Sequence, residues 1–286
     1  MGIIRKMQAF DYINYAFLIL FALTTFYPFW NILVISVSTD KAFFSDWYHI
    51  IPKSFTLRSY LHNFQEVRVL RALSVSVFIT VVGTVSTVTI TSMAAFFLSK
   101  PYLRLRNLIF ILFVITMFFN GGLIPLYIVV AKLKLRNTVF ALFLPTLMNI
   151  FFLILTKNYF AGMPDSMEES AKIDGANAFT ILFRIILPSA KPIIATISLF
   201  YAVQFWNDWF NGLLYLTDRK LYPLSLYLRE VISAAITQEV AAVLNIQAPA
   251  TIRASAIVIT IFPIILVYPF IQKHFVKGIL LGSTKE

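Results

Sequence analysis

The chain contains no cysteine, only 3 histidines and only 13 acidic residues among 286. Without cysteine there is no disulfide, no thiol nucleophile and no lipid-modified N-terminal Cys. His49, His62 and His274 are scattered and make no metal-ligand spacing. None of the 9 glycines opens a Gly-x4-Gly-Lys-Ser/Thr loop, so the chain carries no phosphate cradle of that kind and is not expected to be an ATPase itself. There is no His-Glu-x-x-His and no serine in a nucleophile elbow. Charged residues make up 13% of the chain, against about 25% in soluble domains. Internal repeats, low-complexity tracts and flexible linkers are lacking as well.

What fills the chain is apolar. Hydrophobic residues reach 59% and the mean hydropathy is +0.80. An all-α polytopic membrane protein follows, since a span needs about 20 apolar residues. Six runs qualify, at about 12–38, 74–99, 107–132, 138–157, 190–212 and 253–273. Six spans place both termini on one side. No cleavable signal is evident, because the first run is too long for a signal-peptide core. A single membrane domain over 1–286 is expected. The net charge of +11 is met by Lys and Arg at span ends near anionic lipid and does not imply nucleic acid.

The longest stretch that is neither span nor obvious loop is 164–188, between the fourth and fifth runs. Pro164 suits a first helical position, and Asp165, Glu168 and Glu169 then lie where carboxylates complement the helix dipole. Glu168 and Lys172 are four apart, in the favourable order for a side-chain pair. Asp174-Gly175 ends the helix, because glycine tolerates the left-handed conformation that stops one. Asn177 is a good N-cap for a second helix, which Pro188 closes. The neighbouring carboxylates Glu168 and Glu169 are read as surface docking charges, since an acid/base pair needs a closed site.

This segment resembles the EAA loop of the membrane subunits of ATP-binding-cassette importers. That pattern runs Glu-Ala-Ala, two residues, Asp-Gly-Ala, and later Ile, one residue, Leu-Pro. Glu169, Ala171, Asp174, Gly175, Ala176, Ile185, Leu187 and Pro188 match it in order and spacing. Ser170 replaces the first Ala, a small-for-small departure. The resemblance implies a type I importer permease with six transmembrane helices. Its cytoplasmic coupling helix, between the fourth and fifth, sits in a groove of a separate ATPase. Glu168, Glu169, Ala171, Asp174, Gly175 and Ala176 are the implied coupling residues. Gly175 would allow the turn, Ala171 and Ala176 close contact, and Glu169 and Asp174 acceptors. The stretches Trp206–Phe210, Tyr222–Arg229 and His274–Ser283 resemble the carbohydrate branch, in particular the smaller oligosaccharide permease of a heteromeric pair.

The implied partners are a second, related permease, two cytoplasmic ATPase subunits and an extracytoplasmic solute-binding protein. ATP and Mg would be used by the ATPase, with no cofactor on this chain. The implied setting is a bacterial plasma membrane with both termini cytoplasmic. Charge bias does not decide that orientation. With termini inside, 12 of the 24 Lys and Arg fall on each side. The outer half is basic for its kind, with Lys132, Lys134 and Arg136 in one short loop. Steering of an acidic substrate or docking face is one account. Solubility of exposed loops with lipid contact is the plainer one.

Polar groups within spans are costly and so are candidates for function. Asn120, Gly121 and Gly122, with Pro125 beyond, should interrupt the third run, and Tyr127 follows. A pathway-lining kink and a small-residue packing notch both fit. In the fifth run Tyr201, Gln204 and Asp208 fall on one helix face, with Asn207 beside them. Rings next to amides can bind sugars, so Tyr201, Gln204 and Asn207 join the substrate-pathway candidates. An outer aromatic belt also suits Trp206 and Trp209. Asn31 and Asn149 are expected to bond between helices, and Pro28, Pro145, Pro263 and Pro269 to kink them. The last outer segment should hold an amphipathic helix from Leu224, then a turn near Asn245 to Pro249. Two rival readings remain: the same architecture carrying peptide, amino acid or ion, and an integral-membrane transferase or hydrolase.

Overall fold

The structure, a computed structural model, describes residues 9–45, 48–236 and 249–283. The expected turn near Asn245 falls outside them up to residue 248, as does Trp47. Among the described residues the chain is helical, apart from one antiparallel bridge between Ser38 and Phe55. The helices are α1 (Ala9–Ser36), α2 (Asp40–Ser45), α3 (Arg58–Gln65), α4 (Val67–Ser99), α5 (Arg106–Phe118) and α6 (Leu123–Lys132). Then come α7 (Ile150–Ala161), α8 (Ser166–Ile173), α9 (Ala178–Ser189), α10 (Lys191–Asn207), α11 (Phe210–Tyr215), α12 (Leu224–Ile236) and α13 (Ala250–Ser283).

Three helices are long and apolar enough to cross a membrane unbroken, over Phe10–Ser36, Val67–Ser99 and Ala250–Val267. Three further spans are bent pairs: α5 with α6 at 115°, the segment Val139–Thr146 with α7 at 55°, and α9 with α10 at 88°. Counting each pair once gives six, and the protein is an all-α polytopic membrane protein. The run at 138–157 is not one helix. Pro145 lacks the N–H that an α-helix would use, and Val139–Leu142 and Leu144–Thr146 form 3₁₀ turns instead. The run at 190–212 is interrupted too, because Asp208 is extended (ψ 99°) between α10 and α11. By contrast α1 and α13 run on through Pro28 and Pro263 as single helices.

The chain forms two compact units, Met1–Val67 with Glu230–Phe262 and Arg68–Arg229 with Pro263–Glu286. In the first, α1 is exposed along nearly its whole apolar length, as a helix needs when lipid or another chain is its neighbour. Its far end is tied by polar bonds. Trp30 Nε1 donates to the Ile50 carbonyl at 2.8 Å, and the Ser36 and Tyr60 hydroxyls lie 2.7 Å apart. Asn31 Nδ2 donates to the Tyr48 carbonyl at 3.2 Å, so it anchors the following loop rather than another span. Asn63, 2% exposed, donates to Ser255 Oγ at 2.8 Å and fixes α3 on the start of α13.

In the second unit α4 is the central rod. At 1.5 Å per residue it is about 50 Å long. Ala72, Ser76, Ile79, Gly83, Thr87, Thr91, Ala95 and Leu98 are buried along one stripe. Their spacing of three and four is the helical repeat, and all but Ile79 and Leu98 are small, which admits close neighbours. A methyl on Gly83 would stand 3.0 Å from the Phe205 ring and 3.2 Å from Phe143 Cβ. One core joins Val75, Ile79, Phe143, Phe152, Ile197, Tyr201 and Phe205. A second joins Ala95, Phe96, Leu98, Leu153, Phe160, Ala171, Ile181 and Leu182, and so packs α8 and α9 on the end of α4. Truncating a fully buried residue such as Leu153 to Ala costs about 2–5 kcal/mol.

Candidate functional site

The stretch 164–188 folds as a helix, a corner and a second helix. The first begins at Ser166, two residues past Pro164, with Asp165 as its N-cap residue. Pro164 therefore precedes the helix instead of opening it. The corner is a Schellman turn. Gly175, at φ +77°, donates its N–H to the Lys172 carbonyl at 3.0 Å, and Ala176 donates to the Ala171 carbonyl at 2.9 Å. Asn177 then caps α9, its Oδ1 accepting from Thr180 N at 2.9 Å. Both helix ends are thus satisfied locally. A methyl on Gly175 would touch nothing within 4 Å, so this glycine is required by backbone angle and not by space.

The two neighbouring glutamates face opposite ways. Glu169, Asp174 and Ile173 are exposed, Ile173 at 86%. Neither of those carboxylates has a partner among the described residues. Phe179, on α9, is 63% exposed. Glu168 corrects the surface reading, since it is 6% exposed. It pairs with the Lys100 ammonium and with Lys172 Nζ at 2.9 Å, and accepts from the Tyr102 hydroxyl at 3.3 Å. Ala171 also turns inward, against Ala95, Phe96 and Leu98, with Ala176 half-buried beside it. Burial, and then the adjoining Lys172 ammonium, push the Lys100 pKa below the ordinary lysine range, with Asp165 pulling partly back. One carboxylate serves two ammonium groups here. Lys100 and Tyr102 were absent from the sequence candidates. Their signal was weak: a cation and a ring just past the end of an apolar run.

The second candidate group lies on the third and fifth spans. Asn120, Gly121 and Gly122 fill the break between α5 and α6 and are exposed. Gly122 has φ +89°, and its N–H donates to Asn120 Oδ1 at 3.0 Å. No atom lies within 4 Å of a methyl built on Gly121, and only Pro125 Cδ, at 3.9 Å, near one on Gly122. Close packing within the chain therefore does not explain these glycines. Tyr127 sits apart from them, further along α6. Its ring stacks on Tyr215 at 6.1 Å and carries the Arg136 guanidinium at 5.2 Å.

The expected common face of Tyr201, Gln204 and Asp208 does not form. Tyr201 is fully buried with Phe205, its hydroxyl 3.2 Å from Thr91 Oγ1 and accepting from Asn149 N at 3.1 Å. Gln204 and Asn207 are exposed, and Asp208 lies past the helix end. There its carboxylate accepts from Asn211 N at 3.1 Å and Nδ2 at 2.6 Å. Asn149 in turn is the N-cap of α7, accepting from Phe151 N at 2.9 Å. Its side chain serves that helix end, and only its backbone reaches α10. Arg229, on α12, lies 3.5 Å above the Trp209 ring. Asn137, another residue that sequence reasoning passed over, pins the loop after α6 to the strand-like piece after α11. It accepts at Oδ1 from Thr217 N and Asp218 N at 3.0 and 2.8 Å.

Among the described residues no three His, Asp or Glu side chains gather as a metal site. What the arrangement offers is mechanical: a polar helix with an outward face, held on a long rod whose other half packs on a broken span.

The chain is similar to known proteins. Residues 85–281 match the family described as the binding-protein-dependent transport system inner membrane component. The chain is 42% identical over 284 residues to the polygalacturonan/rhamnogalacturonan transport system permease protein YtcP of Bacillus subtilis (strain 168), covering 98% of this chain and 99% of that one. It is 43% identical over 281 residues to protein LplC of the same organism, covering 97% and 95%. Among solved structures it is similar to a chain of a bacterial ABC transporter involved in the import of the acidic polysaccharide alginate. The TM-score is 0.87 at 31% identity, over 96% of this chain and 99% of that chain. The chain therefore belongs to the inner-membrane permease components of binding-protein-dependent ATP-binding-cassette importers.

Proposed function

We propose that the chain is one of two different permease subunits of an importer for an acidic oligosaccharide, derived from a polyuronate. The observation that carries this reading is agreement in chemistry between two likenesses found independently. One relative is named for polygalacturonan and rhamnogalacturonan transport, and the structural neighbour imports alginate; each covers nearly the whole chain. The exposed Lys132, Lys134 and Arg136 fit an anionic cargo or an anionic docking face.

In this reading the whole of 1–286 is one permease domain. The segment 164–188 is its coupling element, with Glu168, Glu169, Ala171, Asp174, Gly175 and Ala176 as working residues. Glu169, Ile173, Asp174 and Phe179 form the face toward a cytoplasmic ATPase, which uses ATP and Mg. Both termini then lie in the cytoplasm. An extracytoplasmic binding protein delivers the cargo, and closure of the ATPase dimer turns the cavity outward to receive it. Hydrolysis resets it. Asn120, Gly121, Gly122, Tyr127, Gln204 and Asn207 are assigned to the pathway. Tyr201 supports it from the core, by bonding α10 to Thr91 and to the start of α7.

The test is uptake by proteoliposomes holding the full complex, with labelled oligogalacturonides set against neutral malto-oligosaccharides. ATP-dependent accumulation of the acidic sugar alone is expected. Accumulation of only the neutral sugar rejects the charge assignment. Accumulation of both without ATP rejects the importer mechanism.

A further inference from the structure

Glu168 and Glu169 are adjacent but do different work. The sequence of α8 separates two faces: Glu168, Ala171 and Lys172 lie three and four apart, and Glu169 and Ile173 fall on the other side. The first face meets α4. Lys100 directly follows the last residue of α4, and its side chain is 12% exposed against 8% for Glu168. Lys172 and Tyr102 complete the shell, the Lys172 ammonium lying 4.8 Å from the centre of the Tyr102 ring. Under them Ala171 packs on Ala95, Phe96 and Leu98.

The other half of α4 is also held. Ser76 Oγ accepts from Leu224 N at 2.7 Å, at the start of α12. Gly83 admits the Phe205 ring from the last turns of α10, beside Gln204 and Asn207. Within 68–229 the other apolar crossings are bent pairs, whereas α4 is unbroken over Val67–Ser99. An unbroken helix carries a displacement from end to end, where a broken one absorbs it. The apolar contact at Ala171 can slide. A buried charge pair cannot be shifted without stranding a charge.

We infer that Glu168 is a positioning residue. Through Lys100 it locks α8 to the end of α4, so that the two move as one piece and a shift of α8 reaches α10 and α12 through Ser76 and Gly83. This inference rests on the reading of α8 as the coupling helix.

The experiment measures ATP hydrolysed per oligogalacturonide imported, using the complete complex in proteoliposomes. Glu168→Gln and Lys100→Met should leave ATPase co-purification and hydrolysis near wild type. Uptake should fall about ten-fold or more, within the 5–150-fold range of coupling between sites. The double variant should be no worse than either single one, and Lys100→Arg should retain the wild-type ratio. Uptake and hydrolysis falling in proportion, or uptake unchanged, overturns the inference.

A second measurement covers poor assembly of those variants. The native chain has no cysteine, so Lys100→Cys with Glu168→Cys puts the only two thiols of this subunit at the contact. Bridging the thiols with a short bifunctional reagent should restore the ratio. A bridged complex that hydrolyses ATP without uptake shows that the contact must open, and overturns the inference. A wild-type complex that imports no oligogalacturonide, with its ATPase bound and active, fails the substrate reading instead.

Discussion

Gly175 and Gly122 both have a positive φ and differ in everything around it. Both have a left-handed φ, +77° and +89°, and both sit in open space within the chain. At Gly175 the freed groups find partners at once: two Schellman bonds behind and the Asn177 cap ahead. The corner is closed and fixes the angle between α8 and α9. At Gly122 the break is served by one bond of its own, Gly122 N–H to Asn120 Oδ1, besides the helix-end bonds Phe119 N to Ile115 O and Leu126 N to Gly122 O. Phe118 and Phe119 beside it are 75% and 76% exposed. The same residue type thus makes a rigid corner in one place and an open bend in the other. Backbone freedom permits a turn, and the neighbouring donors and acceptors decide whether it is held.

The largest effect expected from this contrast is at the corner. A non-glycine residue in the left-handed region costs roughly 1–2 kcal/mol, too little to unfold a domain of ordinary stability. Gly175→Arg should therefore insert normally. It should nonetheless abolish uptake and lose the ATPase in a pull-down, because the added bulk projects from the outward face. Wild-type uptake in this variant would reject the coupling assignment. At the open bend, Gly122→Ala meets a backbone (φ +89°, ψ 169°) that only glycine adopts readily, at a cost of about 1–3 kcal/mol, but should keep the ATPase bound and lower uptake only in part. Gly121→Ala, at a position without a positive φ, should transport like wild type. If Gly121→Ala and Gly122→Ala behave alike, the bend is not what matters there.

A smaller effect belongs to the cap that closes the corner. Asn177→Ala removes the bond to Thr180 N, for about 1 kcal/mol. Hydrogen exchange at residues 178–180 should quicken with the rest of α9 unchanged. Exchange that quickens through all of α9 would mean that Asn177 holds the whole helix and not its first turn.

How legible these regions were follows from the range of the forces involved. The corner at 174–177 is made by residues within one turn of each other, so glycine, cap and acidic first turn could be read directly. The break at 120–122 was legible for the same reason. In the fourth span Pro145 announced the kink but not the 3₁₀ turns before Ile150–Ala161: both parts are equally apolar, and hydropathy is blind to which backbone groups bond. The inward face of Tyr201 was missed because α10 is apolar over most of its surface, so spacing alone could not say which side meets α4. The Glu168–Lys100 pair joins residues 68 apart in sequence, and no local pattern announces it. In the sequence the two adjacent glutamates differed only by the Lys172 four residues past Glu168, a pair that the fold keeps and joins to Lys100.

The subtlest way to separate the two glutamates is pH. Lys100 gives up its proton in the folded chain below its unfolded value, because burial and Lys172 disfavour the charged form. The cost of that buried charge is therefore full below the folded pKa. It fades as pH rises through the folded value toward the unfolded one, so this group does not make alkaline pH destabilising. The ion pair with Glu168 is lost over the same window, however. Glu168, Lys172, Asp165 and Tyr102 are the charged or titratable groups around it. Coupling should weaken on the alkaline side before an ordinary lysine, at about 10.4, would titrate. The readout is ATP per sugar imported from about pH 7 to about pH 10, for wild type and Lys100→Arg. Arginine keeps its charge across this range, so its ratio should stay level while that of wild type climbs. Coincident profiles would place the titrating group elsewhere in the complex and leave Lys100 a packing residue.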